Sequence, residues 1–159
     1  MKPLYRGIAV AALQCLLMLS LAGKYALDRE RLPRAWARAV PLDPNLPIRG
    51  RYVNLNLEVD GMAGSPAYWQ RAALSVRNGR LFAEPVSYDS GVQVNRWGDR
   101  PGSIAEPVAF FISERVSDPS RRPRGEELWV EVSVPRHGVP RPIRLAVKKD
   151  GVLTPLELR

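Results

Sequence analysis

The pattern of apolar and polar positions divides the 159-residue chain into two unlike parts. Gly7 to Ala22 is an apolar run whose only polar side chains are Gln14, Cys15 and Ser20. With Leu4 and Tyr5 included it makes nearly five helical turns, roughly 28 Å at 1.5 Å per residue. The hydrocarbon core of a bilayer is about 30 Å thick, so the stretch predicts one transmembrane helix, with Arg6 snorkelling to the headgroups. A cleaved signal peptide is the competing reading, with Ser20-Leu21-Ala22 as a small-residue site ahead of Gly23. The run is long for a signal sequence, which favours a retained anchor over residues 1–23.

Beyond the anchor the period changes to two. Val53, Leu55, Leu57 and Val59 alternate with Tyr52, Asn54, Asn56 and Glu58, the pattern of a strand with one buried face. Ala72, Leu74 and Val76 lead into Asn78-Gly79, with Leu81 and Phe82 beyond. Asn-Gly supplies the positive φ angles of a type I′ turn and predicts a tight hairpin. Val86 to Tyr88 and Val92 to Val94 flank Asp89-Ser90-Gly91 and predict a second hairpin. Val108 to Ile112 is a short apolar run. Leu128, Val130, Val132 and Val134 alternate with Trp129, Glu131 and Ser133, and Ile143, Leu145 and Val147 alternate before Asp150-Gly151 turns the chain. Fifteen prolines and twelve glycines keep the pieces short. The expected architecture is an all-β antiparallel sandwich or small open barrel over residues 48–159, preceded by one N-terminal transmembrane helix. Residues 24–47 read as a juxtamembrane linker or as a collar helix from Leu27 to Val40, with Tyr25 and Trp36 at the interface and Pro33 and Pro41 as limits. Ser117 to Gly125, with two prolines and four arginines flanking or within it, reads as a surface loop.

Charge narrows the range of partners. A net charge of +8 and a pI near 10.2 favour anionic neighbours. The arginines are spread along the chain without a continuous basic run, and neither stacking aromatics on a strand nor a reading helix is evident. The sequence therefore points to a basic surface near acidic lipid, with no nucleic acid among the expected partners. The positive-inside rule is divided. Lys2 and Arg6 precede the span, whereas Lys24, Arg29, Arg31, Arg34 and Arg38 follow it and by themselves would place the C-terminal part in the cytoplasm.

No constellation of residues reads as a catalytic or metal site. His137 is the sole histidine, in the turn-like Pro135-Arg136-His137-Gly138. Cys15 is the sole cysteine and lies within the apolar run, behind a poor lipobox because Gln14 stands where a small residue is wanted. Together they are too few to hold a metal. No serine stands in an elbow motif that could join His137 in a triad. A Ser-Lys dyad using Lys148 or Lys149 would make the chain a divergent signal-peptidase-like envelope hydrolase, but no Ser-x-Met-x-Pro stretch follows the anchor. Asp43, Asp60, Asp99 and Asp118 adjoin Pro, Gly or Arg, where carboxylates commonly cap turns. No phosphate-binding glycine loop is present. The expected sets of catalytic, cofactor-binding and metal-binding residues are empty, with no cofactor, and the chain reads as noncatalytic.

Pro41-Leu42-Asp43-Pro44, followed by Arg49-Gly50-Arg51-Tyr52-Val53-Asn54-Leu55-Asn56-Leu57, resembles the signature of the bacterial GDYXXLXY family. That family carries a Pro-x-Asp-Pro lead-in and then Gly-Asp-Tyr-x-x-Leu-x-Tyr. Gly50, Tyr52 and Leu55 match; the motif aspartate is Arg51 here and its last tyrosine is Leu57. Phe110-Phe111-Ile112-Ser113-Glu114 resembles a later aromatic-aromatic-aliphatic-x-Glu stretch of the family, and the likeness extends over roughly Lys24 to Arg159. The resemblance implies a divergent member of a group of membrane-anchored proteins without an assigned biochemical role, often encoded beside a polytopic membrane protein. It implies single-pass insertion in the inner (cytoplasmic) membrane, a periplasmic C-terminal domain, and an integral-membrane or envelope partner besides the lipid around the helix. Asp43, Pro44, Gly50, Arg51, Tyr52 and Leu55 are then the motif residues, either shaping a strand or touching that partner. Oligomeric state is left open.

Overall fold

The structure is a computed structural model that describes residues 3–42, 52–62, 68–87, 90–113 and 115–158. Among the described residues one helix, α1 (Pro3–Arg31), precedes ten strands: β1 (Arg34–Leu42), β2 (Tyr52–Val59), β3 (Trp69–Arg77), β4 (Arg80–Pro85), β5 (Val92–Asn95), β6 (Gly102–Ile104), β7 (Val108–Phe111), β8 (Glu126–Ser133), β9 (Arg141–Lys149) and β10 (Val152–Pro155). The chain divides between Leu32 and Pro33 into two units.

The first unit is α1. Proline is tolerated at its first position, where the missing N–H has no intrahelical partner to lose. Arg29 and Arg31 occupy the last turn, where cations favour the carbonyl end of the helix dipole. A bond from the Leu32 N–H to the Asp28 carbonyl, 3.0 Å, closes that turn, and Pro33 stops the helix. Tyr5–Arg31 is long and apolar enough to cross a membrane, and none of its most apolar window is buried by the rest of the chain. Leu16, Met18 and Leu19 stand on successive faces and are all about two-thirds exposed or more. A helix that is apolar all round and uncovered by protein matches a lipid solvent.

The second unit begins at Pro33 and is strand-rich, as expected. Neighbouring strands run in the order β10-β9-β8-β1-β4-β3-β5-β6-β2-β7, and a further β1–β2 pairing closes six of them into a ring: β1, β4, β3, β5, β6 and β2. The architecture is thus the barrel rather than the sandwich, and its ring is shut. Strands β8, β9 and β10 extend from β1, and β7 extends from β2. The interior is filled from alternate positions. Val53, Leu55, Leu57 and Val59 of β2, Leu81 and Ala83 of β4, Val92 and Val94 of β5, and Ile104 of β6 are all buried. Val130 and Val132 of β8 and Leu145 of β9 continue the same core.

Two tight turns follow the sequence chemistry. Asn78 and Gly79 adopt φ 51° and 73° between β3 and β4, and Asp150 and Gly151 adopt φ 50° and 82° between β9 and β10. Positive φ at both central residues is the type I′ geometry that matches strand twist. The expected second hairpin does not form. Strand β5 pairs with β3, from Trp69↔Asn95 to Ala72↔Val92, and Ser87 lies outside any strand; Tyr88 and Asp89 lie outside the described residues. Strand β3 thus carries β4 on one side and β5 on the other.

Of residues 24–47, expected as linker or collar helix, 24–31 are the end of α1 and Arg34–Leu42 are β1, while 43–47 lie outside the described residues. Ala35, Ala37 and Ala39 alternate with Trp36, Arg38 and Val40, and the three alanines are fully or nearly fully buried. Alanine is the best helix former, so this period of two carries little strand propensity. Its small side chain suits a strand that must meet three others. Strand β1 pairs with β8 over Arg34–Arg38, with β2 over Ala39–Leu42, and with β4 at Trp36↔Arg80.

The last contact is parallel, whereas the other five around the ring are antiparallel. Five reversals in a ring of six cannot be met by strands sharing one axis, so the seam where β4 meets β1 and the end of β2 is a crossing. It is made of single bridges, Trp36↔Arg80 and Asp60↔Phe82, and not of a ladder. Four features hold it. The Trp36 N–H donates to the Gly79 carbonyl at 2.8 Å. The Asp60 N–H donates to Leu81 O, and Asp60 O accepts from the Ala83 N–H. Arg80 Nε lies 2.6 Å from Asp60 Oδ2. Gly61, at φ +93°, lets the chain pass beneath the Phe82 ring, where a Cβ would lie 2.4 Å from ring carbon and 2.7 Å from the Ala83 carbonyl oxygen. Gly61→Ala is expected to cost the ~1–2 kcal/mol of a left-handed alanine plus a further ~1–3 kcal/mol of overpacking. Gly138→Ala, at φ +85° with open space around it, should show only the first cost, and thermal unfolding of the two variants measures the difference.

Candidate functional site

Of the motif residues, Asp43, Pro44, Gly50 and Arg51 lie outside the described residues. Tyr52 opens β2 and is half-buried; Leu55 sits in the middle of the strand and is fully buried. Leu55 registers against Pro41 of β1 and against Val108 of β7, so its side chain is locked between two neighbouring strands. Tyr52 points to the other face. Its register partner is Phe111, and the two rings meet at a centroid distance of 6.0 Å with a tilt of 51°. Val53 faces Phe110 in the same ladder. The two stretches singled out in the sequence, around Tyr52 and around Phe110-Phe111, are therefore adjacent strands. They form one surface feature on which Phe111 is 73% exposed. Glu114 lies outside the described residues.

A second cluster occupies the outer face of β9, β8, β1 and β4, and sequence reading missed it. Trp129, Glu131 and Ser133 alternate with the core residues of β8, yet they too are buried, so this strand is covered on both sides. The cover is long cationic side chains lying on aromatic rings. Arg80 and Lys148 each lie 4.9 Å from the Trp129 ring centroid, and Arg144 lies 5.4 Å from that of Trp36. Carboxylates complete the lattice. Arg144 Nε donates to Glu131 Oε2 at 2.6 Å, Trp129 Nε1 donates to Glu127 Oε2 at 3.1 Å, and Arg38 bridges Glu58 and Glu127 at 3.4 Å each. Cation–π contacts of this kind are worth about 0.5–2 kcal/mol each and increase with desolvation. The only sign in the sequence was the coincidence of tryptophan, arginine and glutamate at outward positions of neighbouring strands, and it shows only once the register is known.

Trp36, expected as an aromatic at the membrane interface, belongs to this lattice. Lys148, a candidate for a Ser-Lys dyad, lies over Trp129, and Lys149 pairs with Glu126 at 3.5 Å. His137 is exposed in the loop between β8 and β9. Asp118 caps a turn as its neighbours suggested, accepting from the Ser120 N–H at 2.9 Å and the Ser120 hydroxyl at 2.6 Å. Asp60 instead holds the seam through Arg80, and Asp99 lines a surface cleft described below. No group of three or more His, Cys, Asp or Glu side chains that could hold a metal occurs among the described residues.

Comparison with protein-family models, with curated proteins and with solved structures found no match.

The Tyr52–Phe111 feature separates a packing role from a contact role. Leu55→Ala is expected to destabilise the barrel by about 2–5 kcal/mol, the range for a buried leucine. Phe111→Ala, at an exposed position, should leave the melting temperature within about a degree or two of the parent, as surface substitutions do. Thermal denaturation followed by circular dichroism checks both.

Proposed function

We propose that this chain is a noncatalytic, membrane-tethered accessory protein, a divergent relative of the GDYXXLXY group, whose barrel docks on an integral-membrane partner. The observation that carries the reading is α1: an apolar helix uncovered on every side, continuous through Leu32-Pro33 with a barrel that carries its own core. Adjacency of the two family-like stretches on β2 and β7 supports it further, because it turns two separate sequence likenesses into one exposed feature around Tyr52 and Phe111. Several of the barrel's cationic side chains, Arg38, Arg77, Arg80, Arg122 and Arg144, are paired with acidic neighbours, and an extended polyanion track is not built from such residues. The protein sits in the inner membrane by a single pass, with the barrel on the periplasmic side.

A photo-crosslinking amino acid at position 111, expressed in native membranes, is expected to capture one discrete integral-membrane protein. Recovery of lipid adducts alone would count against the reading. Sidedness has its own test in the arginine-rich loop before β8. Arg121 and Arg124 are exposed there, so trypsin added to intact spheroplasts should cut the loop. Protection until the spheroplasts are lysed would put the barrel in the cytoplasm.

A further inference from the structure

We propose that the barrel touches an anionic lipid surface directly, through an aromatic tip formed by Tyr68, Trp69 and Trp97; the inference rests on the tethered reading above. Trp97 is distant in sequence from the adjacent Tyr68 and Trp69 and is brought to them by the β3–β5 register. Trp69 lies opposite Asn95, and the Arg96 N–H donates to the Tyr68 carbonyl at 2.8 Å. Trp97 follows immediately, and its ring meets that of Tyr68 at a centroid distance of 6.0 Å. A turn closed by the Arg100 N–H on the Trp97 carbonyl, 3.3 Å, with Gly98 at φ +60°, holds the loop that presents the indole.

The exposures are unusual for such residues. Tyr68 is 70%, Trp69 52% and Trp97 68% exposed, whereas Trp129 of β8, in the cation–π lattice, is 5% exposed. Three large exposed aromatics at neighbouring positions of β3 and the loop after β5 mark a contact surface. Their neighbours identify what they contact. Arg96, half-buried with Nη1 donating to the Met62 carbonyl at 3.3 Å, and the exposed Arg100 bracket Trp97, and Arg71, whose Nη1 donates to the Gly91 carbonyl at 3.1 Å, shares the exposed side of β3 with Trp69. Trp and Tyr rings interleaved with arginines are what a membrane–water interface selects, because the ring bodies enter the headgroup and upper acyl layer while the guanidiniums remain among the phosphates. Cation–phosphate attraction contributes roughly 1 kcal/mol per arginine at an anionic leaflet. A cleft of about 390 Å³ has Asp60, Asp99, Arg96 and Arg100 in its lining, and Asp60 is already paired with Arg80.

The experiment uses full-length protein reconstituted in vesicles of phosphatidylcholine and phosphatidylglycerol, with and without bromine on the acyl chains. The chain has four tryptophans, Trp36, Trp69, Trp97 and Trp129. Bromolipid is expected to quench wild-type emission, and the W69F/W97F variant, which keeps the two tryptophans of the lattice, should lose most of that quenching. Replacing phosphatidylglycerol by phosphatidylcholine, or introducing Arg96→Gln with Arg100→Gln, should weaken the wild-type effect. Quenching that is absent, or equal in wild type and variant, while the protein still floats with the vesicles overturns the aromatic tip and leaves the tether standing. Failure of the protein to float with the vesicles overturns the tether itself. Unchanged circular dichroism of each variant ensures that lost quenching is not lost folding.

Discussion

Apolar side chains point in every direction around α1 and are exposed, and this one constraint is what the functional reading of the molecule depends on. Burial of a Leu or Met side chain is worth about 1.5–3 kcal/mol. The helix bears Leu13, Leu16, Leu17, Met18, Leu19 and Leu21 all exposed, so an aqueous setting would leave many such contributions unmade. In the tethered placement proposed above, lipid supplies them, and a helix meets the rule that only closed backbone structure crosses a bilayer because it bonds its own amides.

The barrel solves its own closure problem at the seam. A ring with an odd number of reversals needs a strand that can be approached closely from more than one side, and β1 meets the need with Ala35, Ala37 and Ala39 inside and Trp36 and Arg38 outside. The same strand joins the core to the cation–π lattice, since Trp36 lies at the bridge to Arg80 and under Arg144. Covering both faces of β8 gives the small domain a second buried layer, and the layer consists of amphipathic side chains whose stems pack while their charges remain paired. Much of the high arginine content is thereby structural.

What was legible in the sequence followed from period and turn chemistry. The alternation around Leu55, the runs of β8 and β9, and Asn78-Gly79 each specified an element by themselves, and α1 was read from length and apolarity. Strand β1 was hidden because its inward positions are alanines, and β6 because three residues, Gly102–Ile104, carry no period. Asp89-Ser90-Gly91 signals a local turn in the sequence, whereas in the fold Gly91 sits against the Ala72 backbone, where a Cβ would lie 2.3 Å from the carbonyl oxygen. The glycine serves a close approach between strands, not a hairpin. The pairing of Tyr52 with Phe111, and of Tyr68 with Trp97, depended on register between distant segments, which local pattern does not encode.

Everything functional in this reading requires that α1 remain in the mature protein and in the bilayer. Mass measurement on the chain recovered from carbonate-washed membranes tests this most directly. The account predicts that it stays with the membrane pellet and carries the full span beginning ahead of Tyr5. A chain released into the soluble fraction, with an N-terminus near Gly23, would contradict it.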